Sequence, residues 1–280
     1  MKIATLYLIA TPIGNLEDIS LRALRILKEV DLIACEDTRW TVKLLNHYGI
    51  RVPRESHHQH NEAESTPRLV ALLKQGRSVA LVSDAGTPSI SDPGRILVSA
   101  CRREGLRVET VPGPSAAIAA LAGSGLPAEN FFFAGFLPPR GGQRRKRLEE
   151  LASIPATLVL YEAPHRLEAA LEDILAQLGP RRACLARELT KVHEEWLAGS
   201  LDEILVAVRS RARIQGEITL VIDRGKPAEA RISGPPSIAR HLEEEMRRTG
   251  ASRNEALKSV ARQRGVSRKE AYRQLLAEKG

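Results

Sequence analysis

Apolar residues along the chain fall into short continuous runs separated by stretches of helical periodicity. Runs at 3–10, 32–35, 78–83, 107–111, 131–134, 157–161, 183–187 and 216–222 read as strands, most of them buried. Between them, apolar positions three and four residues apart predict helices over 21–30, 40–48, 66–75, 94–103, 115–122, 167–177 and 201–208. Strands alternating with helices predict a parallel or mixed α/β fold. Residues 54–61 and 137–147 are polar and read as loops. A Pro- and Gly-rich stretch over 225–238 reads as a linker. Beyond it, Ser252-x-x-Glu255 and Ser267-x-x-Glu270 have the form of capping boxes, each before apolar residues at helical spacing. The expected organisation is an α/β domain over 1–113, a second over 114–224, the linker, and a small helical domain over 239–280.

Between residues 83 and 94 lie two Gly, two Pro, two Asp and three Ser. Such a stretch continues neither a strand nor a helix. It follows a predicted strand, and ligands bind open α/β sheets outside the carboxyl ends of their strands. Gly86 lets backbone approach a ligand, while Asp84 and Thr87 offer polar contacts.

Charge and cysteine content narrow the class. The chain carries a net charge of +8, and residues 231–280 hold 12 Lys and Arg against 6 Asp and Glu. A basic appendage on a nearly neutral body suits a polyanion; a solubilising tail is the plainer alternative. The three cysteines stand far apart with no CxxC spacing, which fits a reducing cytoplasm and argues against a disulfide framework or a cysteine zinc site. No apolar run approaches a membrane span. The apolar start resembles a signal peptide, but Thr11-Pro-Ile-Gly-Asn15 stands where a small-residue cleavage site would be needed, so it reads as the first strand. His57, His58 and His60 match no standard zinc spacing, so no metal is expected; a solvated loop, or one touching RNA, is the reading.

Seven motifs in order carry a resemblance: Thr11-Pro-Ile-Gly-Asn-Leu16, Glu36-Asp-Thr-Arg39, Ser83-Asp-Ala-Gly-Thr-Pro-Ser-Ile-Ser-Asp-Pro-Gly94, Val111-Pro-Gly-Pro-Ser-Ala116, Tyr161-Glu-Ala-Pro-His-Arg166, Arg187-Glu-Leu-Thr-Lys-Val-His-Glu-Glu195 and Gly216-Glu-Ile-Thr219. Over about residues 5–222 the chain resembles the ribosomal RNA small subunit methyltransferase I family, a branch of the tetrapyrrole-methylase superfamily. The resemblance implies two α/β domains of the tetrapyrrole-methylase type with S-adenosylmethionine in the cleft between them. It implies methylation of a cytidine ribose 2′-hydroxyl in the decoding region of 16S rRNA by a cytoplasmic homodimer acting on the small ribosomal subunit. It assigns the cofactor to Pro12, Asp84, Ala85, Gly86, Thr87, Ile90, Ser115 and Ala116, with Tyr161, Glu162, Leu189 and Ile218 from the second domain. The first loop reads Ala10-Thr-Pro-Ile-Gly14. It lacks the Gly-x-Gly-Pro-Gly pattern usual in the tetrapyrrole branch, which disfavours a porphyrin substrate.

A ribose hydroxyl attacks well only if a base takes its proton, an effect worth ~10²–10⁴-fold. Two polar clusters at predicted strand ends supply candidates. Asp37 is a base or the partner that holds Arg39, and Arg39 is a fork for phosphate. Lys191 is a base if desolvated, with Glu194 to orient it. An ion-pair network joining the domains is the alternative for all four. Arg140, Arg144, Arg145, Lys146 and Arg147 form a basic, Gly-containing loop suited to rRNA phosphates. His165 and Arg166 are phosphate candidates or helix caps. Trp40, Tyr48 and Trp196 are stacking candidates, with core packing the plainer reading. Two other functions stay open: a small-molecule tetrapyrrole methyltransferase, and a non-catalytic RNA-binding ribosome-assembly protein.

Overall fold

The structure, a computed structural model, describes residues 3–224 and 238–277. Residues 3–224 form one compact unit built on two sheets, and the described residues from 238 onward form another. The predicted linker lies outside the described residues except for Ile238.

The first sheet contains β1 (Thr5–Ile9), β2 (Leu32–Cys35), β3 (Arg54–Ser56), β4 (Val79–Val82) and β5 (Arg107–Val111) in the order β3-β2-β4-β1-β5, all parallel. Alternation along β4 divides the core. Ala80 and Val82 meet α1 (Leu21–Glu29) and α2 (Thr38–His47) on one face. Val79 and Leu81 meet α3 (Glu62–Lys74) and α4 (Arg95–Arg103) on the other. Thus β1 feeds a helix on one face and its neighbour β4 feeds a helix on the opposite face. That reversal opens a crevice at their carboxyl ends. Across it, the Thr11 and Gly86 N–H groups donate to each other's carbonyls at 2.9 and 3.0 Å.

The second sheet contains β6 (Phe131–Phe136), β7 (Thr157–Glu162), β8 (Arg182–Arg187), β9 (Glu195–Ser200) and β10 (Ile218–Ile222) in the order β6-β7-β10-β8-β9. Only β6 and β7 run parallel. Ile218 pairs with both Glu162 and Arg187, so the start of β10 shares an edge with the ends of β7 and β8. One face packs α6 (Gly141–Ala152), α7 (Leu167–Leu178) and α8 (Leu201–Arg209). The other packs the small-residue α5 (Ala116–Gly123) together with Ile13 from the first sheet's β1 loop.

Three elements differ from the sequence pattern. The polar stretch before residue 61 contains the short edge strand β3, held by backbone pairing that polar side chains do not advertise. His57 there is fully buried and its Nδ1 lies 2.7 Å from Ser65 Oγ, so this is not the solvated loop expected. Residues 141–147 are helical, not a loop: Leu148 and Leu151 bury one side of α6 despite the leading glycines. The strand β9 was hidden in a stretch whose burial is only partial.

In the carboxy-terminal unit, α9 (Ile238–Thr249), α10 (Arg253–Gln263) and α11 (Arg268–Ala277) enclose Ile238, Leu242, Ala256, Leu257, Val260, Ala261, Ala271 and Leu275. Glu255 accepts from the Ser252 N–H at 3.0 Å in a complete capping box, and Ser267 Oγ accepts from the Glu270 N–H at 3.2 Å.

Candidate active site

The edges of the two sheets face a cleft of about 380 Å³, within the ~300–1,000 Å³ usual for small-molecule sites. The first sheet supplies Ile13, residues 84–87, Ile90, Ser91 and Asp92, with Ser115 and Ala116 at the start of α5. The second supplies Phe136, residues 161–164 and residues 216–219. Ten of the twelve residues assigned to the cofactor by resemblance therefore line one space. Pro12 is half-buried between Thr11 and Ile13 and does not line it. Leu189 packs in the apolar cluster that holds Ile13. Sequence reasoning passed over Asp92, Phe136 and Glu217. Asp92 was visible, since it lies in the Gly- and Pro-rich loop already singled out.

Close packing across the two lobes fixes the walls. A Cβ on Gly14 would stand 2.5 Å from Lys191 Cγ and 2.7 Å from the Leu189 carbonyl, so only glycine lets the β1 loop meet the turn after β8. There the Asn15 N–H donates to Thr190 Oγ1 at 3.0 Å. The Tyr161 hydroxyl accepts from the Ala117 N–H at 3.2 Å, tying β7 to α5.

None of the four catalytic candidates lines the cleft. Asp37 caps α2 and takes Arg39 into a pair at 2.6 Å; hydrogen bonds from that side chain and from the Arg39 N–H lower its pKa to about 2. Its own N–H donates to Asp84 Oδ1 at 2.9 Å, which places α2 at the rim. Arg39 itself is exposed. Lys191 binds Glu188 at 2.8 Å and Glu217 at 3.2 Å. Burial opposes its charge, but Glu188 and Glu217 outweigh it and hold the pKa above the ordinary lysine value. So placed, Lys191 is a charged clasp between Glu188 and the cleft residue Glu217, where the sequence offered it as a base on condition of desolvation. Glu194 accepts from Trp196 Nε1 at 2.9 Å and from the Thr190 N–H at 2.6 Å; these bonds lower its pKa and shape the turn.

The basic candidates divide. Arg140, Arg145 and Lys146 are exposed, and Arg147 is half-buried against Glu150 at 2.8 Å. Arg144 is buried, its guanidinium 2.6 Å from Asp173 and donating to the Ala169 carbonyl at 3.1 Å. It joins α6 to α7 and presents nothing to RNA, a correction to the basic-loop reading. Arg166 is half-buried and pairs with the cleft carboxylate Glu162, while His165 is exposed beside a hollow shared with Arg213. Trp40 is 58% exposed with Lys43 Nζ 4.1 Å from its ring centre, so core packing is corrected there. Tyr48 is half-buried and donates to the Leu16 carbonyl at 2.7 Å; Trp196 packs with α5. Among the described residues no group of three His, Cys, Asp or Glu could hold a metal ion, and no helix is long and apolar enough to cross a membrane.

The model of the Tetrapyrrole (Corrin/Porphyrin) Methylases matches residues 5–205. The chain is 48% identical over 263 residues to a Halalkalibacterium halodurans protein named "Ribosomal RNA small subunit methyltransferase I", covering 93% of this chain and 90% of that one. An Escherichia coli O157:H7 protein of the same name is 48% identical over 226 residues, 80% of this chain and 79% of that one. Among solved structures, diphthine synthase superposes with a TM-score of 0.62 at 18% identity, over 79% of this chain and 90% of that one. Uroporphyrin-III-C-methyltransferase from Thermus thermophilus gives 0.55 at 23%, over 79% and 94%. By descent and by fold, the chain belongs to the ribosomal RNA small subunit methyltransferase I family of tetrapyrrole methylases.

Proposed function

We propose that the chain transfers the methyl group of S-adenosylmethionine to the ribose 2′-hydroxyl of a cytidine in the decoding region of 16S rRNA. The observation that carries this reading is the near full-length similarity to relatives named for small-subunit rRNA methylation, in a chain with a ligand-sized cleft between two sheet edges. The lining suits the cofactor. Asp84, Asp92, Glu162 and Glu217 set negative charge around a space for a cationic molecule, and Ile13, Ile90, Phe136 and Ile218 offer apolar surface to its adenosyl part. The start of α5 faces the cleft through Ser115 and Ala116, where a helix dipole favours a carboxylate. Glu162 Oε2 is buried without a hydrogen-bond partner, an acceptor left for a donor. When bound, S-adenosylmethionine supplies an electrophilic methyl group on sulfonium sulfur.

The protein's contribution is to hold the acceptor oxygen in line with that methyl carbon, which by itself supplies much of the acceleration. Outside the cleft, Arg39, Trp40 and Lys43 share the exposed first turns of α2, whose start is tied to the cleft residue Asp84. A guanidinium for phosphate beside an indole for a splayed base suits single-stranded RNA. The test offers radiolabelled S-adenosylmethionine with small ribosomal subunits, naked 16S rRNA or uroporphyrinogen. Label entering the RNA of either ribosomal substrate supports the reading. Label entering only the tetrapyrrole overturns it.

A further inference from the structure

We infer that the hollow beside the cleft receives the backbone phosphate that adjoins the methylated ribose, with the Arg213 guanidinium as its principal ligand. The inference rests on the function proposed above and deepens it by naming residues that seat the acceptor strand.

The demand comes from the substrate. In RNA the 3′-phosphate is carried on the ribose carbon next to the one that bears the 2′-hydroxyl. An acceptor oxygen that reaches the cleft therefore brings a phosphate to its mouth. The cleft lining itself holds Asp84, Asp92, Glu162 and Glu217, whose charge repels an anion. A receptor for the phosphate must adjoin that lining and lie outside it.

A neighbouring hollow meets this condition. It measures about 560 Å³ and is lined by Pro164, His165, Arg213, Ile214, Gln215 and Gly216, with no carboxylate among them. Pro164 and Gly216 also line the cleft, so the two spaces share a wall. His165, Arg213 and Gln215 are exposed, and each carries an N–H donor.

Arg213 is free to bind where its neighbours are not. Arg166 is committed to Glu162, Lys191 to Glu188 and Glu217, and both Arg187 and Arg211 to Glu195. Among the described residues Arg213 has no ion pair, and its partner is neutral. With the amide assigned by its hydrogen bonds, Gln215 Oε1 accepts from Arg213 Nη2 at 3.1 Å and Nε at 3.2 Å. The guanidinium is thus aimed while its charge stays uncompensated, and its Nη1 edge is left for a ligand. A fixed planar fork of this kind suits a phosphate.

The segment that carries it is held in place. Ile214 packs against the core of the second sheet. The Gln215 carbonyl accepts from Arg187 Nη1 at 3.2 Å. Gly216 has a φ of +92°, and a Cβ there would strike the Glu188 side chain. On the other side of the hollow, the Arg166 N–H donates to the Ala163 carbonyl at 3.2 Å, which shapes the turn that presents His165. A receptor built before the RNA arrives spends little ordering entropy on binding.

The test uses the full chain, the ribosomal substrate that the wild type methylates, and the variants Arg213→Gln and Arg213→Lys. Both should bind S-adenosylmethionine as the wild type does in calorimetry, because Arg213 does not line the cleft. Arg213→Gln should bind the ribosomal substrate about tenfold more weakly. Its slope of log affinity against log salt should be shallower by roughly 0.7. Its single-turnover methyl transfer at saturating substrate should fall ~10–100-fold, because the acceptor oxygen is no longer held in line. Arg213→Lys keeps the charge and should restore the salt slope but not the full rate, since an ammonium lacks the fork. Wild-type affinity and salt slope in Arg213→Gln overturn the inference, as does a lysine variant with the salt slope of the glutamine one. An affinity loss with an unchanged saturated rate overturns it by placing Arg213 on RNA away from the reacting nucleotide. Weakened cofactor binding overturns it by giving the hollow to S-adenosylmethionine. In each of these cases the methyltransferase reading stands. Absence of ribose methylation by the wild type overturns both.

Discussion

Gly86 shows how a single backbone angle constrains the cleft. Its φ is +78°, while a Cβ there would stand 3.6 Å from Ile13 Cγ2 and 3.7 Å from the Pro114 carbonyl, ordinary contact distances. Strain rather than crowding therefore governs substitution. Gly86→Ala should cost about 1–2 kcal/mol of stability. Gly86→Val, branched at Cβ, should cost more and abolish binding of S-adenosylmethionine; melting curves and calorimetry read the two effects separately, and a Val variant of wild-type affinity would remove Gly86 from the site. Asp92 makes an opposite prediction for stability. Its carboxyl is raised from 3.8 to about 7 in the folded chain, so folding disfavours its ionised form. That cost is absent below pH 3.8, grows as pH rises through this window, and is complete above 7. Asp92→Asn should accordingly melt higher than the wild type at pH 8, with the advantage shrinking toward pH 4. An equal or lower melting temperature at pH 8 would contradict the electrostatic account. The loop around Asp92 was legible in sequence because its composition excludes helix and strand. The behaviour of Asp92 was not, because its proton affinity depends first on burial in the folded chain and then on Glu36, which the neighbouring strand β2 brings near.

Among the elements, α6 separates structure from recognition within one run of cations. Arg144 is buried against Asp173, and removing one partner of a buried pair costs ~3–5 kcal/mol, so Arg144→Ala should destabilise the chain strongly in denaturant titrations. Arg145 and Lys146 are exposed on the same helix. Alanine at either should leave stability nearly unchanged and weaken rRNA binding, with a shallower dependence of affinity on salt. A salt dependence identical to the wild type would take α6 out of the RNA surface. The run of five cations in eight residues gave no means of telling these roles apart: the buried position is set by Leu148 and Leu151 further along the helix and by an aspartate on α7. Strongly periodic helices and buried strands were readable for the opposite reason, since their apolar spacing is local. The edge strands β3 and β9 were not, because backbone pairing at a sheet edge asks little of side chains.

For the whole molecule, two sheets with different strand directions bring their active edges to one cleft. The parallel sheet presents the carboxyl ends of β1, β4 and β5; the mixed sheet presents the ends of β6 and β7 with the start of β10. Parallel strands in the first half were foreseeable from alternating strands and helices. The antiparallel pairings of β10 were not, since nothing local marks which strand a late segment will join. The carboxy-terminal helices enclose a core of their own. Deleting residues 225–280 should therefore leave the melting of the larger unit and its cofactor affinity intact while lowering affinity for 16S rRNA; unchanged methylation by the shortened chain would remove that unit from recognition. The central claim concerns the atom that receives the methyl group. Its most direct test incubates the chain and S-adenosylmethionine with small ribosomal subunits from a strain lacking this activity, digests the RNA, and identifies the modified nucleoside by mass spectrometry. The account predicts 2′-O-methylcytidine from the decoding region. A methyl group on a base, or no modified nucleoside despite bound cofactor, would contradict it.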